Sequence, residues 1–179
     1  MIKQLRFGAA GVAMVAAFAM SSAAQANTAS ADATAEVLDA LTLNNVDALD
    51  FGTMVVSGAG VVTLAANGDL ACDDADIVCS GTTSVATFTV DGTANTAVTI
   101  NLPTAAVELR HPSYTTATAT QHAIVLNTFT SNRNGGTGPE VTLDGDGDGD
   151  FAVGGTITLD GSEAAGVFSG SFDVSVEYS

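Results

Sequence analysis

After residue 26 the sequence consists of short runs rich in Thr, Val and Ala that are separated by Gly, Asn, Asp and Pro. No part of this region has apolar residues at helical spacing, and many short strands with turn residues between them are typical of an antiparallel β-sandwich or barrel. The pairs Asn67-Gly68, Asp91-Gly92 and Asp160-Gly161 favour turns with positive φ. Thr115–Gln121 fits either an edge strand or a loop. The predicted strands are Ala33–Leu43, Leu49–Val56, Val61–Ala66, Ser84–Val90, Ala97–Leu102, Ala123–Phe129, Glu140–Leu143, Phe151–Leu159 and Val167–Tyr178.

The first 26 residues have the three parts of a secretory signal peptide. Lys3 and Arg6 precede an uncharged apolar run over residues 7–20, and Ala24-Gln25-Ala26 supplies a small-x-small cleavage site. We expect cleavage after residue 26 and a mature single domain that starts at Asn27. The alternative is an N-terminal membrane anchor, although the run is shorter than the roughly 20 residues that span a bilayer. No second long apolar run follows, so we expect no membrane span after cleavage.

The mature chain is strongly acidic. Removal of the signal peptide leaves only Arg110 and Arg133 against 20 acidic residues, a formal charge of −18. Such a surface repels nucleic acid, so we expect no nucleic-acid partner. His111 and His122 have no third nitrogen or sulfur ligand nearby in sequence, and no nucleophile-elbow or phosphate-loop motif occurs. We therefore expect a protein that is not an enzyme and binds no cofactor.

The two cysteines, Cys72 and Cys79, follow the signal peptide and would meet an oxidising compartment. We predict that they form a disulfide that closes a short loop. A metal or redox pair is the alternative, but the spacing is not C-x-x-C.

Four alternating aspartates, Asp144, Asp146, Asp148 and Asp150, resemble the start of a calcium-binding EF-hand loop. The residue at position twelve of that loop would be Gly155 and not Glu, and the flanking segments are predicted to be strands. The segment is thus either a solvated turn between two strands or a weak calcium site.

The last fourteen residues alternate between apolar or small residues and mostly polar ones, which predicts a strand with one apolar face. The residues of this face are Gly166, Phe168, Gly170, Phe172, Val174, Val176 and Tyr178.

This segment resembles the C-terminal strand of chaperone–usher pilins, which has a penultimate aromatic residue and a glycine fourteenth from the end. Tyr178 and Gly166 occupy these two positions. The stretch AAGVFSGSFDVSVEYS, together with LDFG at Leu49–Gly52, is also similar to a family of small secreted proteins that occur with fimbrial chaperones and ushers.

The resemblance implies an immunoglobulin-like antiparallel β-sandwich that lacks one strand. In the pilins, a periplasmic chaperone and then the N-terminal strand of the next subunit supply that strand, and an outer-membrane usher assembles the fibre. The chain would accordingly pass through the inner membrane and the periplasm and become a subunit of an adhesive fimbrium on the cell surface, contacting copies of itself head to tail.

The N-terminal segment supplies a matching donor strand. Ala33, Ala35, Val37, Leu41 and Leu43 share one face, which only Asp39 interrupts. We therefore predict a flexible extension and donor strand over residues 27–44, and a pilin-like domain over residues 45–179. The alternative is that this segment is the first strand of a complete, monomeric surface domain that calcium could stabilise.

Overall fold

The computed structural model describes residues 27–133 and 136–179, so the predicted signal peptide lies outside the described residues. In the described part, no helix is long and apolar enough to cross a membrane. The only helical segments there are Thr116–Thr118 and Ala119–His122. The strands are β1 (Thr42–Asp47), β2 (Thr53–Val56), β3 (Gly60–Leu64), β4 (Leu70–Ala71), β5 (Ile77–Ser80), β6 (Ala86–Asp91), β7 (Ala97–Asn101), β8 (Val107–Arg110), β9 (Ala123–Arg133), β10 (Gly136–Thr137), β11 (Glu140–Thr142), β12 (Asp148–Leu159) and β13 (Ser175–Tyr178).

Strand β12 is the centre of the largest sheet. One of its edges pairs with β6 through Val153 and then with β3 from Gly155 onward, while the other edge pairs with β9. Gly154 therefore lies where β12 changes partner. Strand β1 pairs with β6, β4 with β3, and β8 and β10 with β9, all antiparallel.

A second sheet, in the order β11-β7-β13, packs over the first, and β2 pairs separately with β5. Strand β6 alternates in burial because its apolar residues point to the interior and its threonines and aspartate point away. Phe88 stacks on Phe151 at 5.2 Å between ring centroids, and Ile100 of β7 belongs to the same buried cluster. The prediction of an all-β antiparallel sandwich is confirmed.

Several element boundaries differ from the prediction. The predicted strand Ala33–Leu43 is a strand only from Thr42, and Val167–Tyr178 pairs regularly only from Ser175. Thr115–Gln121 is neither strand nor open loop but is mostly a helical turn, in which the Thr118 hydroxyl accepts a hydrogen bond from the Thr115 N–H. The short strands β4, β5, β8 and β10 were not predicted, because polar residues and turn formers dominate their surroundings.

The predicted turn glycines fall into two groups. Gly68 and Gly161 have φ values of 90° and 88°, as predicted for their turns. Gly92 does not have a positive φ, so that prediction is wrong for Asp91-Gly92. A methyl group on Gly92 would instead lie 2.6 Å from the Tyr178 hydroxyl and 2.7 Å from Leu41, so glycine is needed there for close packing.

Candidate strand-binding groove

The C-terminal segment alternates in the structure as it does in sequence. Side chains at odd positions from 167 to 179 are exposed, whereas Phe168, Phe172, Val174, Val176 and Tyr178 are half-buried and pack against the three core clusters. Phe172 contacts two of these clusters and lies 4.9 Å from Phe129 between ring centroids. Gly166 and Gly170 are exposed. The segment thus has one face that covers the core.

Within residues 27–133 and 136–179, one edge of this segment has no neighbouring strand. Ser169 bridges to Arg110 of β8, and β13 pairs with β7, but in the described part of the chain no backbone hydrogen bond joins residues 170–174 to another backbone group. Unpaired N–H and C=O groups along an edge can accept an additional strand. Regular pairing begins only at Ser175 because β7 ends at Asn101, the residue opposite it.

An apolar cavity of about 290 Å³ opens beside this unpaired edge. Phe51, Phe88, Leu109 and Leu126 form its floor. One side of the cavity is formed by the second half of β1 and the residues just after it, and the other side by the C-terminal segment. The side residues are Asn45, Ala48, Leu49, Gly170, Ser171 and Phe172. We call the space between β1 and residues 170–178 the strand-binding groove.

Tyr178 closes the groove at its other end. Its hydroxyl donates a hydrogen bond to the Asp39 carbonyl at 2.8 Å and accepts one from the Thr93 N–H at 2.7 Å. The Asp39 N–H in turn donates to the Thr93 hydroxyl at 2.7 Å. These bonds join the chain just before β1 to the end of β13. The sequence did not predict the roles of Asp39, Gly92 and Thr93, since their contact joins residues that are far apart in sequence.

The predicted donor residues lie in two different environments. Leu41 and Leu43 pack against the cluster that contains Val90 and Val98, so they belong to the body of their own domain. Val37 is 91% exposed. Val37–Ser179 form one compact unit, which starts before the predicted boundary at residue 45. The described residues before it, 27–36, contain no helix or strand and are all exposed, including Ala33 and Ala35.

Cys72 and Cys79 form the predicted disulfide. Cys79 lies in β5, whose Ile77 is buried in the first core cluster, and both cysteines contact that cluster. The bond therefore ties the acidic loop between them to the core.

Asp144 and Asp146 lie in a tight turn before β12, and Asp148 and Asp150 lie in the first residues of that strand. One carboxylate oxygen of Asp144 accepts hydrogen bonds from the Asp148 and Asp146 N–H groups, which lower the pKa of Asp144. Asp146, Asp148 and Asp150 do not converge with it on one point: within the described residues, no group of three or more acidic, histidine or cysteine side chains could hold a metal ion. The turn is thus stabilised by its own backbone hydrogen bonds.

Asp148 faces Asp91 directly across β12 and β6. A hydrogen bond between the two carboxyl groups raises the pKa of Asp148, so the pair is favourable while it holds a proton and unfavourable once pH rises through that pKa. We predict that Asp148→Asn raises the melting temperature at neutral pH, because the substitution removes a carboxylate that faces Asp91. The gain should vanish below the ordinary pKa of 3.8. Thermal unfolding at both pH values tests this prediction.

The control is Asp150→Asn, because Asp150 faces Thr89. It removes the same charge without relieving a facing pair and should change the melting temperature less at neutral pH. Equal effects of the two substitutions would mean that net charge, and not the pair, is responsible.

Comparison with known proteins identifies the domain that contains the groove. The family described as a domain of unknown function (DUF4402) matches residues 41–178. This range begins at Leu41, includes both sides of the groove and ends at Tyr178. No curated protein and no solved structure matches the chain. Since the match covers more than half of the sequence, the chain belongs to the DUF4402 family.

Proposed function

We propose that this protein is a structural subunit of a cell-surface fibre that assembles by donor-strand exchange. In this proposal the strand-binding groove of one copy receives the N-terminal extension of the next. The observation that carries the proposal is the unpaired edge over residues 170–174, which borders an apolar cavity. A strand added there would pair the free backbone groups and cover the apolar floor, as in β-augmentation.

The geometry of exchange favours a filament. The groove and the extension are different surfaces, so the contact is head to tail and can repeat without closing. The only lysine, Lys3, lies in the predicted signal peptide. A mature chain without a lysine amine cannot form lysine isopeptide cross-links between subunits, which is consistent with non-covalent assembly.

The resemblance to pilins extends the proposal to the route of assembly. A periplasmic chaperone would protect the unpaired edge during export, because an open apolar edge is an aggregation hazard. An outer-membrane usher would then exchange the chaperone for the next subunit. The fibre would support adhesion at the cell surface.

Binding of an isolated extension tests this function. A chain that starts at Leu38 retains nearly all of the compact unit but lacks the extension. It should bind a fluorescent peptide of residues 27–38, detected by fluorescence anisotropy, and its melting temperature should rise with peptide concentration. The full mature chain should form polymers in size-exclusion chromatography.

The control peptide has the same composition, but Asp32 is exchanged with Ala33 and Thr34 with Ala35. This exchange places polar side chains on the apolar face and should abolish binding. A truncated domain that ignores the native peptide, together with a full chain that stays monomeric, would mean that the sandwich is complete and the proposal is wrong.

A further inference from the structure

The position of β1 limits which residues are available as a donor. Leu41 and Leu43 pack in their own domain, and the Asp39 carbonyl is bonded to Tyr178. Only residues before Asp39 are therefore free to reach a neighbour. This places the donor strand closer to the N-terminus than the alternation of Ala33–Leu43 suggested.

The residues before Asp39 have an alternation of their own. Odd positions from 29 to 37 are Ala29, Ala31, Ala33, Ala35 and Val37, and even positions from 28 to 36 are Thr28, Ser30, Asp32, Thr34 and Glu36. A strand over residues 29–37 would have one small apolar face and one polar face. It is as long as the groove segment 170–178.

The two ends of the groove differ in width. The cavity lies at the Gly170 end, where a glycine leaves one wall without a side chain. The Tyr178 end is narrower: none of residues 173–178 lines the cavity, and the Tyr178 hydroxyl is hydrogen-bonded to the Asp39 carbonyl just before β1. The largest side chain on the apolar donor face, Val37, fits the wide end, and Ala29 fits the narrow end.

We propose that residues 29–37 of a second copy fill the groove antiparallel to residues 170–178, with Val37 opposite Gly170 and Ala29 opposite Tyr178. This proposal rests on the proposed function and specifies which residues serve as the donor strand. The opposite direction would place Val37 at the narrow end and leave the cavity facing an alanine.

The direction of the backbone groups determines how the register can be tested. The Ser179 N–H donates to the Ala97 carbonyl, so odd residues of β13 direct their backbone groups toward β7 and even residues direct theirs toward the groove. The solvent-facing residues, which are the even positions of the donor and the odd positions of the groove strand, would then form non-hydrogen-bonded pairs. The side chains of such pairs lie closest to each other. The proposed register pairs Ser30 with Glu177, and the reversed register pairs Glu36 with Glu177.

Disulfide trapping distinguishes the two registers on the full mature chain. The variants are Ser30→Cys with Glu177→Cys, and Glu36→Cys with Glu177→Cys; all three positions are exposed. The native cysteines are already paired with each other. After mild oxidation, the first variant should give a ladder of linked oligomers on a non-reducing denaturing gel, and the second should not. The single-cysteine variants should stop at dimers.

Each other outcome contradicts a defined part of the proposal. A ladder from the Glu36→Cys variant alone, or polymers in light scattering without any ladder, would overturn the register and leave donor-strand exchange intact. A circular monomer from the Ser30→Cys variant would overturn the second copy as donor. The absence of both ladders and polymers would overturn the proposed function itself.

Discussion

The Gly154→Ala protein is expected to lose roughly 3 kcal/mol of unfolding free energy, at the upper end of the usual range for overpacked sites. Gly154 is buried where β12 changes its partner from β6 to β3. A methyl group there would collide with the Leu64 carbonyl oxygen and lie 2.5 Å from the Ala66 nitrogen. Both atoms are backbone, so relief requires β3 to move away from the centre of the sheet. Urea denaturation of both proteins measures the loss.

Gly155→Ala is the matched control. Gly155 is buried in the same strand, but the closest atom to its added methyl group would be Leu126 Cδ1 at 2.9 Å, the end of a side chain that can rotate. Its substitution should therefore destabilise the protein clearly less. An equal loss in both variants would mean that glycine is needed for strand conformation and not for the approach of β3.

Val37→Asp is expected to weaken association between subunits without affecting stability, whereas Leu41→Asp is expected to lower the stability of the domain itself. Val37 is 91% exposed, so its substitution should leave the melting temperature unchanged. It should weaken association between subunits about a hundredfold or more. A valine that becomes buried in the groove contributes about 1.5–3 kcal/mol to binding, and burial of a charge in its place adds a further cost. Leu41 is half-buried against a core cluster, so its substitution should lower the unfolding free energy by roughly 1–3 kcal/mol. Thermal unfolding and light scattering of both variants separate these effects.

Thr34→Asp is the control for charge. It adds the same negative charge to the extension on the polar face and should leave association nearly unchanged. If it weakens association as much as Val37→Asp does, repulsion between acidic chains governs assembly. If Leu41→Asp leaves stability intact, Leu41 does not contribute to the packing of its own domain.

Local patterns in the sequence predicted the elements whose burial alternates strictly. The alternation from Phe168 to Tyr178 is present in the structure, and so are most of the strands and the Cys72–Cys79 disulfide. Side chains along a strand point alternately to its two faces. A strand with one buried face can therefore be predicted from the alternation of apolar and polar residues in the sequence.

Contacts between distant residues could not be predicted in this way. Hydrogen bonds join Asp39, Thr93 and Tyr178, which are far apart in sequence, and no local pattern encodes them. Apolar residues occupy the odd positions both over residues 29–37 and over residues 33–43, so the two candidate donor strands overlap and have the same apolar face. Only the packing of Leu41 shows where the extension ends and the domain begins.

The bond between Tyr178 and Asp39 has a mechanical consequence. In a fibre built by strand exchange, tension would enter each subunit at Asp39 and leave through the strand held along residues 170–178. The Tyr178 hydroxyl joins these two places directly, and the load would pass into the donor strand in shear, because its backbone hydrogen bonds to residues 170–178 would be strained together. The β2–β5 pair and the disulfide loop would lie outside this path. A stretched fibre should therefore fail by sliding of the donor strand, while the domains themselves remain folded.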